Sequence, residues 1–359
     1  MTTEFEYVGL PYRILFGQGT LAKLNAEVSR LSRSRVLLLT AGDLPGLGDQ
    51  VERLLGPLCV ARFDGATLHT PVTVTEEALG QLRASGADCV VAVGGGSTTG
   101  LSKALAACTG IDQIILPTTY AGSEVTPVLG ETAGGRKTTR SSPSILPETV
   151  IYDVELSRGL PVPIAVTSAV NALAHAVEAL YSAQANPIVD GWALDAVSGI
   201  GKGLSRLAGE PADLGVRSDL LRGAWLAGMC LASVGMGLHH KLCHVLGGSF
   251  GLPHAITHTV ILPHVMSYNA SATPDVMARI GAALNVPDAA SGVFDLIKQA
   301  DGPTSLRELG FGFDDLGKVA DEVTASPYPN PKPLTRDGIL GLLSQAWYGV
   351  RPAAEMRGQ

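Results

Sequence analysis

The stretch VVAVGGGSTTGLSKALA, residues 90–106, joins an uninterrupted apolar run to a helix-forming one through three successive glycines. A strand without polar residues fits a parallel sheet covered on both faces. Gly94, Gly95, Gly96 and Ser97 then predict a loop between that strand and the helix. Glycine lets backbone approach a ligand closely, and a helix start offers unpaired N–H groups to an anion. A pyrophosphate fits such a loop at the carboxyl edge of a parallel sheet. Taken alone, the triplet fits a tight strand-to-helix turn equally well. It is not the G-x-G-x-x-G pattern, and it follows the third strand-like run instead of the first.

Outward from the loop, short β-branched or aliphatic runs recur at 35–40, 59–63, 89–93, 113–117 and 149–153. Helical patterns at 47–55, 75–85 and 97–108 lie between them. Strands alternating with helices predict a parallel sheet flanked by helices. Residues 127–139, with a Gly134-Gly135 turn, read as an appended hairpin. The segment LPTTYAGSEVTP (116–127) follows the next strand and brings Thr118, Thr119, Ser123 and Thr126 to the same sheet edge. Two such loops in successive strand–helix units point to a nucleotide.

Beyond residue 155 strand signals fade. Ala/Leu-rich helical segments at 164–183, 189–207, 214–233, 238–250, 274–284, 292–299 and 338–347 predict an all-helical second half. The expected organisation is an α/β dinucleotide-binding domain over 1–155 and an all-α domain over 156–359. SPYPNPKP (326–333) is expected to be extended, because residues before proline leave the helical region.

Composition excludes several classes of function. At 359 residues, 46% hydrophobic and 16% charged, the chain can build two cores and is neither disordered nor a disulfide-stapled miniprotein. A net charge of −7 without a basic run argues against a nucleic-acid partner. Five cysteines form no CxxC pair, which fits a reducing cytosol. Neither a leader peptide nor a membrane span is expected, so the predicted location is cytoplasmic.

Six of the eight histidines fall between residues 239 and 264. His240 and His244 stand four apart, on one helix face, and His254 follows after a Gly-Gly and a proline. Upstream, Asn171 and His175 are also four apart. Asn171, His175, His240 and His254 can converge from facing helices. Imidazoles in an apolar setting can donate protons near neutrality or bind carboxylates. A carboxylate at 171 would complete an iron or zinc site; an amide there offers only a neutral oxygen. By helical spacing His239 and Lys241 point elsewhere.

These residues identify a resemblance. The chain resembles the iron-containing (group III) alcohol dehydrogenase family, whose fold is shared with dehydroquinate synthase, in FGQGTL (16–21), GGGSTTGLSK (94–103), PTTYAGSEVTP (117–127), LPETVIYD (146–153) and the histidine block. Asn171 stands where the family has a ligand Asp, and Gly100 replaces the Asp of its GGGSxxDxxK motif. His175, His240 and His254 match the remaining metal-ligand positions. Both departures, with LPHAITH (252–258) and NPKPLTRDGILGLL (330–343), are similar to the maleylacetate-reducing branch.

That resemblance implies reduction of the C2=C3 bond of maleylacetate to 3-oxoadipate in aromatic catabolism, with NADH or NADPH and without a metal, by a cytoplasmic homodimer. It implies that Gly94, Gly95, Gly96 and Ser97 hold the pyrophosphate, while Thr118, Thr119, Ser123, Val125 and Lys137 line the rest of the nucleotide. Thr40-Ala41-Gly42 replaces an acidic ribose contact, which would tolerate a 2′-phosphate, with Asp43 close by. His244 becomes the expected proton donor, with His175, His240 and His254 as donors to the enolate or a carboxylate. Asn171, Lys241 and His258, and more weakly Arg140, become candidate substrate contacts. A metal-dependent alcohol or aldehyde dehydrogenase and a dehydroquinate synthase-like lyase remain alternatives.

Overall fold

The structure, a computed structural model, describes residues 4–42, 45–133, 136–326 and 328–353. The chain divides into two compact units, Val8–Leu160 and Met1–Tyr7 with Pro161–Gln359. Residue 155 lies inside a 3-10 turn, Val154–Ser157, that continues the last strand of the first unit. The change of unit comes at Pro161, which starts the first long helix. Tyr7 belongs to the helical unit because its ring packs edge-on against Trp192, with centroids 5.5 Å apart.

The first unit holds a six-stranded, all-parallel sheet. Its strands are β1 (Arg13–Gly17), β2 (Val36–Leu39), β3 (Cys59–Phe63), β4 (Cys89–Gly94), β5 (Asp112–Pro117) and β8 (Thr149–Asp153), in the order β1-β8-β5-β4-β2-β3. Every residue of β2, β4 and β8 is buried, as expected of strands covered on both faces. Helices α1 (Leu24–Arg30), α2 (Pro45–Leu55), α3 (Val72–Ser85) and α4 (Gly96–Thr109) connect them. The antiparallel pair β6 (Val128–Ala133) and β7 (Arg136–Ser141) is the expected hairpin; its Gly134-Gly135 turn lies outside the described residues. Two elements were not read from sequence, β1 and α1. The glycine loop therefore follows the fourth strand in chain order, not the third.

From β2 the chain moves outward to β3, then returns to place β4 on the other side of β2. The strand order reverses between β2 and β4, and open α/β sheets bind ligands at such a reversal, beyond the carboxyl ends of the strands. The glycine loop leaves β4 at that edge.

The second unit is helical: α5 (Val162–Leu180), α6 (Pro187–Leu207), α7 (Leu214–Ser233), α8 (Leu238–Gly248), α9 (His254–Asn269), α10 (Pro274–Leu284), α11 (Ala289–Gln299), α12 (Leu316–Ala325) and α13 (Arg336–Tyr348). Two helices, α9 and α12, were missing from the sequence reading. Apolar residues run all round α9, which blurs the 3.6-residue period, and Pro263 interrupts it. Helix α5 is long and apolar enough to cross a membrane by length and composition, but every residue from Ala165 to Leu180 is buried within the unit. It is the central core helix. Helices α6 and α7 cross closely at glycines: a Cβ on Gly223 would stand 2.6 Å from Ile200 Cγ1. Leu242, Val260, Val265, Val319 and Leu343 fill the core under α8 and α9.

Candidate active site

The glycine loop has the form of an anion cradle. Gly94 ends β4 at φ +148°, a conformation closed to side-chain-bearing residues in practice. Gly95 is the N-cap of α4 and supplies no capping side chain, and no acidic residue lies in the helix's first turn. The positive end of the helix is thus left for a ligand. A Cβ on Gly95 would meet Thr119 Cγ2 at 2.9 Å, whereas one on Gly96 would meet nothing within 4 Å. The two loops are tied together: Thr118 N donates to Gly94 O at 2.9 Å. The space and donors present fit a dinucleotide's phosphates.

Lys103 accounts for the second loop's shape. Its buried ammonium donates to Ser123 O, to Thr126 Oγ1 at 3.0 Å and to Val128 O at 3.0 Å. Burial pushes its pKa down to about 7, with Glu124 opposing the shift. Ser123 and Val125 thereby take fixed places at the sheet edge, Val125 fully buried. This lysine stands in the quoted motif, yet sequence reading gave it no task. Its signal was a cation in a helix otherwise apolar on that side.

Other candidate positions carry partners of their own. The absence of a carboxylate after β2 was expected to tolerate a 2′-phosphate. The next strand provides one: Asp64, just past β3, accepts from Thr40 Oγ1 and from Arg62 Nε at 2.6 Å. Asp43 and the Lys137 side chain lie outside the described residues. Arg140 is engaged across the hairpin by Glu131 at 2.8 Å and is not a free carboxylate partner.

In the helical unit, α5, α8 and α9 bring five imidazoles into a continuous cluster. The His175 and His240 rings stack with centroids 5.1 Å apart, His240 lies 5.0 Å from His258, and His258 lies 4.3 Å from His254. His239 joins it, contrary to the expectation from helical spacing: its Nε2 lies 2.9 Å from His258 Nδ1. The cause is its place in the first turn of α8, packed against α9. His258 is thus fully buried and engaged through Nδ1, not an open substrate contact. Asn171 is buried on the same face of α5 as His175. His244 is exposed on α8, its ring 6.3 Å from His240. Lys241 turns to Tyr328, its ammonium 5.3 Å from that ring's centroid, and does not join the cluster.

Electrostatics divides these imidazoles. Burial, reinforced by the neighbouring rings, holds His175, His239 and His258 well below the ordinary histidine range, so all three are neutral at pH 7. His240 differs in having an anionic partner: its Nδ1 lies 2.6 Å from Glu178 Oε2, and both groups are buried. Sequence reading missed Glu178. It is the single charge in α5, three residues past His175, which places it beside the histidine face.

The donor set does not fit the family's metal. Among the described residues, the one trio of His, Cys or acidic side chains with ligand atoms all within 4.8 Å of one another is His239, Cys243 and His258. His175, His240 and His254 do not converge that closely, and Asn171 supplies no anionic oxygen. The buried trio is itself occupied by the His239–His258 hydrogen bond. A cavity of about 800 Å³ in the helical unit borders Glu178, Ser182, Gly237 and Asn330 and is not lined by the rings themselves.

Comparison with known proteins agrees with this architecture. Residues 11–154 match the model of the iron-containing alcohol dehydrogenases, and residues 165–347 match the C-terminal model of that family. Maleylacetate reductase 1 of Rhodococcus opacus is 63% identical over 351 residues, covering 98% of each chain. The crystal structure of maleylacetate reductase from Agrobacterium tumefaciens superposes with a TM-score of 0.94 at 48% identity, covering 98% of this chain and all of that one. A 1,3-propanediol oxidoreductase structure, 27% identical over 96% of this chain and all of that one, gives 0.90. The chain belongs to the iron-containing alcohol dehydrogenase family, alongside its maleylacetate reductases.

Proposed function

We propose that the chain reduces the C2=C3 bond of maleylacetate to give 3-oxoadipate, and does so without a metal. The observation that carries the substrate is the end-to-end 63% identity with the Rhodococcus opacus enzyme. The metal-free part is supported by Asn171 and by the poor convergence of His175, His240 and His254.

The substrate is already activated, because its alkene is conjugated with the C4 ketone. Gly94, Gly95, Gly96 and Ser97, with Thr118, Thr119, Ser123, Val125 and Lys137, would hold NADH or NADPH, which when bound would supply the hydride for C2. The chain must then stabilise the enolate oxygen, deliver one proton to C3 and balance two carboxylates. His244, exposed and so open to solvent exchange, is the donor to C3. His175, His240 and His254 face the enolate or a carboxylate, and the Asn171 amide contacts the substrate in place of a charge that would repel it. A cytoplasmic homodimer completes the proposal.

The test is maleylacetate reduction with NADH and with NADPH, with and without EDTA, beside elemental analysis of the protein. Activity that survives complete metal removal is expected. Loss of activity together with one tightly bound iron or zinc per chain would instead establish the metal-dependent dehydrogenase reading.

A further inference from the structure

Glu178 carries no task in the proposed chemistry, yet four donors converge on its buried carboxylate. Oε1 accepts from His239 N at 2.7 Å. Oε2 accepts from Gly237 N at 2.9 Å and His240 N at 3.4 Å, and lies 2.6 Å from His240 Nδ1. The backbone bonds have a local cause. Gly237 is the N-cap of α8 and has no side chain to cap it, so α5 supplies the cap from outside. Capping alone accounts for three donors and leaves the shortest contact, to the imidazole, unexplained.

That contact decides which way His240 is protonated. A carboxylate only accepts, so Nδ1 must carry the hydrogen. The other ring nitrogen, Nε2, is buried and has no hydrogen-bond partner among the described residues. Buried polar atoms are seldom left so, and this one sits within the ring cluster. We infer that Glu178 is a positioning residue: it locks His240 with Nδ1–H on its own carboxylate, so that Nε2 is the nitrogen presented to the substrate's developing enolate. This deepens the proposed reduction and rests on it for the identity of the ligand. To donate to the enolate oxygen, Nε2 first takes up a proton from solvent, and the Glu178 carboxylate is the counter-charge to the doubly protonated ring, a partner its neighbours lack.

Glu178→Gln separates positioning from capping. If its NH₂ replaces Oε2, it opposes Gly237 N–H and forces His240 Nδ1 to accept, moving the ring hydrogen to Nε2. If it replaces Oε1, it opposes His239 N–H and unpicks the cap instead. Long-range ¹H–¹⁵N spectra of the substrate-free wild type, with His240→Asn to assign the ring, read the tautomer directly. The expected result is the Nδ1–H form. An Nε2–H form would overturn the inference, whatever the substrate turns out to be. In Glu178→Gln, kcat for maleylacetate is expected to fall at least about tenfold, the usual size of losing such a partner, with the NADH dissociation constant within twofold. Glu178→Asp should recover part of the loss. Wild-type kcat in a folded Glu178→Gln would equally overturn it. The tautomer is measured without substrate, so a wild type inactive on maleylacetate would count against the proposed function alone.

Discussion

Gly96→Val isolates the ligand's claim on the glycine loop from the protein's own. Gly96 is exposed, its φ is not in the left-handed region, and a Cβ there would meet nothing within 4 Å. The free protein should therefore tolerate valine. In a helix's first turn the two residues differ by no more than about 0.5 kcal/mol, a shift of roughly 1–2 °C in Tm for a domain of this size. The bound state should not tolerate it. If α4's open N–H groups hold an anionic phosphate oxygen, each charge-assisted bond contributes about 1.5–3 kcal/mol. Pushing the phosphate off one of them raises the NADH dissociation constant about 10- to 150-fold, at 1.4 kcal/mol per factor of ten. Fluorescence titration with NADH and a thermal melt of the same sample measure both quantities. Gly95→Ala is the internal control, because its Cβ collides with Thr119 in the protein itself and should lower Tm as well as affinity. A Gly96→Val protein that binds NADH within twofold of wild type would refute the cradle.

Three further outcomes are expected. His244→Ala should keep NADH affinity while kcat falls by about 10²–10⁴, the range for a lost general acid; saturation kinetics at fixed NADH checks it. Asn171→Asp should gain Fe²⁺ or Zn²⁺ affinity, since it adds an anionic oxygen beside His175, and should lose maleylacetate reduction through repulsion of the substrate's carboxylates; elemental analysis and the reduction rate read the two halves. His264 is buried against Phe294, neither ring nitrogen has a hydrogen-bond partner among the described residues, and burial lowers its pKa to about 4. Between about 4 and the unfolded value near 6.5 the unfolded chain binds the extra proton, so stability falls as pH drops through that window and levels off below it. Urea unfolding at pH 7 and pH 5 should show wild type losing about 2 kcal/mol more than His264→Leu.

The alternation of apolar runs and helical patterns was legible because β2, β4 and β8 are buried on both faces and contain little else but aliphatic residues. β1 was missed because RILFG has only one fully buried residue and lies at the sheet's edge. The histidine cluster was legible in part. Spacing along one helix links His175 to Asn171, but the stacking of His175 on His240 joins helices some 65 residues apart in sequence. His239 was misplaced by the same limit: helical periodicity says which residues share a face, and a first-turn residue packed by a second helix is governed by that partner. Glu178 was visible as a lone charge in an apolar helix, a pattern that asks for a buried partner.

The two departures from the family's pattern act in the same direction. Asn171 removes the anionic ligand that three imidazoles would need to balance a divalent ion. Gly100 removes a second carboxylate, and the vacated volume is not idle: a Cβ at that position would run into Thr70 Oγ1. Thr70 is itself buried and held at φ +44°, so restoring an acidic side chain at 100 would have to move a packed neighbour. Neither position 100 nor position 171 thus carries an anion. In the helical unit the negative charge now touching the rings stands behind them, on Glu178, where it meets His240 Nδ1 and backbone N–H groups. A carboxylate in the ligand ring would repel a doubly anionic substrate; the same charge behind the imidazole balances a proton carried at Nε2 instead. An amide at 171 with a carboxylate seated behind His240 suits these rings to an oxyanion better than to a cation.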